Sequence, residues 1–105
     1  MIITTMNEIP DKRIVKTFGL VRGNTIRARH IGRDLMAFLR TLVGGEVTDY
    51  TKMMAEAREQ ALDRMIAEAR SLGANAVVGV RFATSFIMQG AAELLVYGTA
   101  VMVEE

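Results

Sequence analysis

The chain has 105 residues and a mass of 11.6 kDa; half of its residues are hydrophobic, and its formal net charge is +1. The absence of Cys excludes disulfide scaffolds, thiolate metal sites and Cys nucleophiles, and the single His excludes an HExxH metal site. No apolar run approaches the ~18 residues of a membrane helix, and the N-terminus lacks a signal-peptide pattern. We therefore expect one cytoplasmic domain over residues 1–105.

The first third of the chain is predicted to be mainly β-structure. Three β-prone segments occur there: residues 2–6, 13–21 and 25–31. A turn is predicted between the last two, at Arg22-Gly23-Asn24. Residues 33–43 have the apolar spacing of a short amphipathic helix, which Gly44-Gly45 ends.

Residues 49–72 are predicted to form a long helix, because Ala, Glu, Arg, Met and Leu dominate the segment. Gly73 fits the left-handed position just past a helix end. At 100° per residue, an inner arc holds Met54, Ala57, Ala61, Leu62, Met65, Ala69 and Leu72. The opposite arc holds Lys52, Glu56, Glu59 and Asp63, which we expect to face water rather than to bind a cation.

Two strands are predicted to end the chain, at residues 76–88 and 93–103, joined by a hairpin turn at residues 89–91. Strict alternation in the first puts Val78 and Val80 on one face and Arg81 on the other. The last strand is apolar on both faces and so needs cover on both. One helix covers only one face, so we expect a homo-oligomer. The candidate interfaces are the final strand, the Met-rich helix face and the segment around His30.

Basic residues are concentrated early in the chain: seven lie between Lys12 and Arg33 with no carboxylate among them. Arg22, Arg27 and Arg29 are the candidates within it for binding an anion. Two interpretations stay open. The stretch binds an anion, or it faces the acidic second half of the chain within or between subunits. Phe18 is the only aromatic residue in the stretch, so nucleic-acid binding is not expected, and a small anion or a nucleotide is the ligand that these arginines favour.

Arg58 falls on the inner arc of the long helix, where a guanidinium is costly to bury without a partner. Glu46 is the partner we expect, because Gly44-Gly45 lets the chain turn closely just before the helix. A bound anion is the alternative.

No catalytic constellation is found, so no enzymatic activity is expected. Ser71 and Ser85 lack a base and an orienting group, because the chain has one His. His30 alternates with Ile26 and Ala28, which favours a packed or interface residue over a metal ligand. The eight Met residues are expected to fill cores and interfaces rather than bind a soft metal.

The order of motifs resembles the YbjQ-like family of small bacterial and archaeal proteins. Three pieces carry this resemblance over essentially the whole chain: Gly44-Gly45-Glu46, Ala57-Arg58 with Ala61, and Leu72-Gly73-Ala74-Asn75-Ala76. The family is described only as heavy-metal-binding or of unknown function. The resemblance implies an α+β fold with a two-layer β-α-β-β core like the dodecin subunit, one long helix on a mainly antiparallel sheet, and a homopentameric ring.

Two functions are therefore expected. The first is a non-enzymatic, ring-forming homo-oligomer that binds a small ligand or ion at its subunit interfaces. The alternative is a heavy-metal-binding protein in the sense of the family description, with a metal ion as cofactor. His30 and Glu46 are then the candidate metal ligands.

Overall fold

The computed structural model describes residues 1–28, 48–88 and 91–105. These residues contain four strands and one helix. In chain order they are β1 (Ile2–Ile3), β2 (Arg13–Ala28), α1 (Thr48–Ser71), β3 (Ala76–Met88) and β4 (Ala91–Glu104). The predicted short helix at residues 33–43, Gly44-Gly45 and residues 89–90 of the predicted hairpin turn lie outside the described residues. Ala91, which was predicted to end that turn, is instead the first residue of β4.

The strands form one sheet in the order β1-β3-β4-β2. β1 runs parallel to β3, whereas β4 is antiparallel to both of its neighbours. α1 packs on one face of this sheet, mainly over β2 and less over β4. The predicted two-layer α+β class, with one long helix on a mainly antiparallel sheet, is confirmed. We call the sheet face under α1 the helix face and the opposite one the far face.

The end of α1 follows local sequence signals. Gly73 has φ +92°, its amide donates to the Arg70 carbonyl at 3.0 Å, and the Ala74 amide donates to the Ala69 carbonyl at 3.1 Å. This pair of bonds is a Schellman motif, which satisfies the last helical carbonyls. The predicted left-handed Gly73 is thus confirmed.

Asn75 joins the end of the helix to the last strand. Its side-chain oxygen accepts from the Val103 amide at 2.8 Å, and its Nδ2 donates to the Val103 carbonyl at 2.9 Å. Its own amide donates to the Val101 carbonyl at 3.1 Å. The side chain therefore bonds like an additional strand residue beside β4. The Leu72–Ala76 motif thus has a structural function.

The turn predicted at Arg22-Gly23-Asn24 is wrong, because β2 continues through these residues from Arg13 to Ala28. Gly23 is buried, and a Cβ built on it would overlap the carbonyl oxygen of Ala61 in α1 and lie 2.5 Å from the Met65 amide nitrogen. The glycine is needed for close approach of the helix, not for a change of chain direction.

The strict alternation predicted for residues 76–88 is also wrong in its second half. β3 has a bulge, where the register passes from Val78 opposite Thr99 to Arg81 opposite Tyr97. Gly79 lies in the bulge with φ +63°. The bulge places Val80 on the helix face with Val77, and moves Arg81 to the far face.

The buried core has two parts, one on each face of β4. The larger, on the helix face, consists of Val21, Ala61, Met65, Ala69, Ala74, Val77, Val80, Val96 and Ala100. The smaller, on the far face, consists of Ala76, Val78, Val101 and Val103, and Ile2, Ile9 and Ile14 pack against it. The chain therefore covers part of the second face of β4 itself, where we had expected a neighbouring subunit to do so.

Candidate functional site

The predicted faces of α1 are confirmed with two exceptions. Ala57, Ala61, Met65 and Ala69 are buried, and Met54 and Leu62 are half-buried. Leu72, at 45% exposed, and Arg58 are exposed. The expectation that the Arg58 side chain is buried within its own subunit is therefore wrong. Met65 and Ala69, on the same side of the helix, are buried. The strands that α1 contacts, mainly β2, therefore cover this side further along the helix but not at Arg58.

The opposite side of α1 carries a stripe of exposed carboxylates. Glu56, Glu59 and Asp63 line an open depression together with Lys52, Ala55 and Gln60. All three carboxylates face solvent, as predicted. No group of three His, Cys, Asp or Glu side chains that could hold a metal ion occurs among residues 1–28, 48–88 and 91–105.

The candidate arginines of β2 are separated by the sheet. Arg27 lies on the helix face, where its Nη2 donates to Gln60 Oε1 of α1 at 2.7 Å. Arg22 lies on the far face, opposite Tyr97 of β4, and is exposed. The two residues therefore do not form one anion site. Arg29, His30 and Glu46 lie outside the described residues, so the predicted Arg58–Glu46 pair does too.

Two basic residues at the start of the early stretch do face acidic residues of the same chain. Lys12 Nζ lies 3.4 Å from Glu105 Oε1, and Arg13 Nη2 lies 2.6 Å from Glu104 Oε1. Both pairs are solvent-exposed, so each contributes little to stability. The interpretation that the basic stretch faces the acidic end thus applies to these two residues.

Arg81 joins Arg22 on the far face, a relationship that the sequence analysis missed. Tyr97 is paired with Arg22 on one side and with Arg81 on the other, which places the three side chains in one row across three strands. Tyr97 is 37% exposed, and both arginines are exposed. The bulge at Gly79 places Arg81 in this row. Gly79 itself was the one residue of the sequence that could have indicated the bulge.

Two of the exposed large apolar side chains lie on β3; Leu20 and Ile26 of β2 are exposed too. Phe82 is 50% exposed and Phe86 is 83% exposed. Both lie on the helix face, since they pair with Val96 and Ala92 of β4, but α1 does not extend over them. Most of β4 is buried between its neighbours instead. The predicted interface on the final strand stays a prediction, and β3 carries the most exposed large apolar side chain of the described residues, Phe86.

The chain matches one family model over residues 1–104, with the description "Putative heavy-metal-binding". A UPF0145 protein of Methanococcus vannielii is 59% identical over 105 residues and covers all of both chains. A UPF0145 protein of Thermus thermophilus is 56% identical over 104 residues, which are 99% of this chain and 91% of that relative.

A solved structure with the same fold is among those that the chain resembles. It is a protein of unknown function from Pediococcus pentosaceus, assigned to the DUF74 family, with a TM-score of 0.61 and 17% identity. The match covers 99% of this chain and 98% of that one. No helix within the described ranges is long and apolar enough to cross a membrane.

Proposed function

This chain belongs to the YbjQ-like family, and we propose that it is a non-enzymatic, ring-forming homo-oligomer that binds a small ligand or ion at its subunit interfaces. The observation that carries this proposal is the second half of β3, where residues 81–86 are exposed on both faces of the strand. Full burial of a Phe side chain is worth roughly 1.5–3 kcal/mol. Leaving Phe82 and Phe86 in water therefore forgoes a substantial stabilisation that an assembly would recover.

The dimensions of the chain support the same proposal. The Cα radius of gyration is 17.6 Å. A compact domain of this length has a radius of gyration of about 13 Å. A chain this extended buries less of its own apolar surface, and half of its residues are hydrophobic. A second copy of the chain on β3 would supply the missing cover.

The charges of α1 indicate how a second copy would sit. Arg58 projects from the side of α1 that also carries Leu62, which packs against the core on the helix face. The stripe of Glu56, Glu59 and Asp63 lies on the opposite side of the same helix. In the proposed contact, the side of α1 that carries Arg58 in one copy faces the carboxylate stripe of α1 in the next copy. The contact therefore joins two different surfaces of the chain. Such head-to-tail contacts form a ring when the rotation between successive copies closes.

The ring size that the family resemblance implies is five, and the candidate ligand sites lie where successive copies meet. Arg58 would there be buried against carboxylates of the next subunit or against a bound anion, which are the two partners expected from its sequence position. Native mass spectrometry of untagged protein tests this, because one spectrum gives the number of chains and any retained small molecule. A retained organic anion supports the proposal.

Heavy-metal binding, as in the family description, is the second candidate function. A transition-metal site needs three or four converging donors. The predicted ligands His30 and Glu46 lie outside the described residues, and one His per chain supplies several donors to a single metal only through the symmetry of a ring. Stoichiometric metal in the same native mass spectrum supports this candidate instead.

A further inference from the structure

The outer edge of β2, which faces away from β4, is occupied by arginine side chains. β2 is a terminal strand of the sheet, since the order of the described strands is β1-β3-β4-β2. We propose that Arg64 and Arg27 close this edge to a strand of a second copy of the chain, so that copies associate elsewhere on the molecule. All the contacts concerned lie within one chain. The proposal therefore does not depend on the ring, and the two proposals can fail separately.

A terminal strand of this length needs protection against association. β2 has 16 residues, and β4 pairs with the backbone groups on one side of it. The other side of such a strand presents amides and carbonyls that can pair with a strand of another chain. Soluble proteins block these edges with bulges, charged side chains or covering elements. We therefore expect a blocking feature along both halves of β2.

The first half of β2 is interrupted by bulges. Its register against β4 shifts twice, within residues 14–16 and within residues 17–19. Each bulge adds a residue and twists the strand, which breaks the regular spacing that an added strand would follow. Over residues 20–28 the register against β4 is regular. This second half is where a strand could add, and where side chains must provide the block.

Two arginines bind backbone carbonyls of the second half. Arg64 Nη1 donates to the Asn24 carbonyl at 2.6 Å. Arg27 Nη1 donates to the Ile26 carbonyl at 3.4 Å, and its Nη2 is held by Gln60 Oε1 of α1 at 2.7 Å. Carbonyls two residues apart point to the same side of a strand. The inner side of β2 is occupied by β4, so the arginines bind carbonyls of the outer edge.

The arginines make addition of a strand unfavourable for two reasons. Each guanidinium group uses a carbonyl that an amide of the added strand would need as its acceptor. The added strand would also bury two positive charges, and neither arginine has an ion-pair partner within the part of the chain that the structure describes. Burial of an unpaired charge is costly. A second copy would have to displace both arginines before it could pair with β2.

The double variant Arg27→Ala with Arg64→Ala opens the edge and tests the proposal. Light scattering coupled to gel filtration compares its mass with the parental mass at equal chain concentration. We expect a mass about twofold larger, because the opened edge of one copy can pair with the same edge of another. Amide hydrogen exchange locates the contact. The amides of Asn24 and Ile26 point outward with their carbonyls, so they should exchange more slowly in the variant than in the parent.

Thr25→Val is the matched control, because it removes the Thr25 Oγ1 bond to the Ala57 carbonyl, which also joins β2 to α1, and leaves both arginines in place. It should keep the parental mass. A variant with lysine at positions 27 and 64 retains a donor for each carbonyl and should keep the parental mass too.

An unchanged mass of the double alanine variant would overturn the proposal. An equal increase in mass for Thr25→Val, or a larger mass without slower exchange at Asn24 and Ile26, would also overturn it. The parental mass tests the ring separately, since a monomeric parent would refute the ring and leave the comparison between the variants intact.

Discussion

Gly23 of β2 lies directly against the backbone of Ala61 in α1, with no room for a side chain between them. Three polar contacts on either side of this point join the same two elements. Thr25 Oγ1 donates to the Ala57 carbonyl at 3.2 Å, Arg64 Nη1 donates to the Asn24 carbonyl at 2.6 Å, and Arg27 binds Gln60. Close approach at Gly23 therefore sets the position of the helix over β2, which leaves β3 uncovered.

Gly23→Ala should destabilise the protein strongly, since the added methyl group meets helix backbone atoms that cannot move independently. Overpacking of this kind costs about 1–3 kcal/mol, and we expect the upper end of that range. Denaturant unfolding at fixed protein concentration measures the change. Glu68→Ala, at an exposed position of α1, is the control and should change stability by less than about 0.5 kcal/mol. Equal midpoints for the two variants would refute the role given to Gly23.

Asn75→Ala should lower stability by about 1–3 kcal/mol, because the Val103 amide and carbonyl both lose their side-chain partner. Asn75→Asp keeps the acceptor for the Val103 amide but sets a carboxylate oxygen against the Val103 carbonyl, so it should not restore parental stability. Denaturant midpoints and amide exchange at Val103 measure both effects. Asn7→Ala, at an exposed position, serves as the control. Unchanged exchange at Val103 in the Asn75→Ala variant would contradict the assignment.

Phe86→Asp should dissociate the assembly without unfolding the chain, because this side chain is 83% exposed within one subunit and would be buried by the next. Light scattering coupled to gel filtration measures the mass at micromolar concentration. Leu72→Asp is the matched control, since Leu72 is also an exposed apolar residue, at 45%, but lies at the end of α1. If both variants keep the parental mass, β3 is not the interface.

Arg58→Ala should leave the stability of the isolated subunit nearly unchanged, because its side chain is exposed there. It should weaken association, and the parental assembly should weaken in the same way at high salt if Arg58 faces carboxylates of the next copy. Dilution series followed by light scattering give both comparisons. Arg70→Ala, another exposed arginine of α1, should have no effect on association. Equal dissociation constants for Arg58→Ala and the parent would remove Arg58 from the interface.

Local signals predicted the long helix and its end, since helix propensity and the left-handed Gly73 act over a few residues. They failed where tertiary contacts decide. Gly23 resembles a turn residue in sequence, but its requirement comes from Ala61, 38 positions later in the chain. Arg81 was assigned to the wrong face because the bulge at Gly79 changes the alternation. Helical periodicity placed Arg58 on the correct side of α1. It does not predict how far along the helix the sheet covers that side.

The assembly is the central claim, and native mass spectrometry of untagged protein at micromolar concentration tests it most directly. We predict a single species containing several copies of the 11.6 kDa chain, five by family resemblance, with a small ligand or ion retained. A folded species of 11.6 kDa, with no larger complex, would contradict the account.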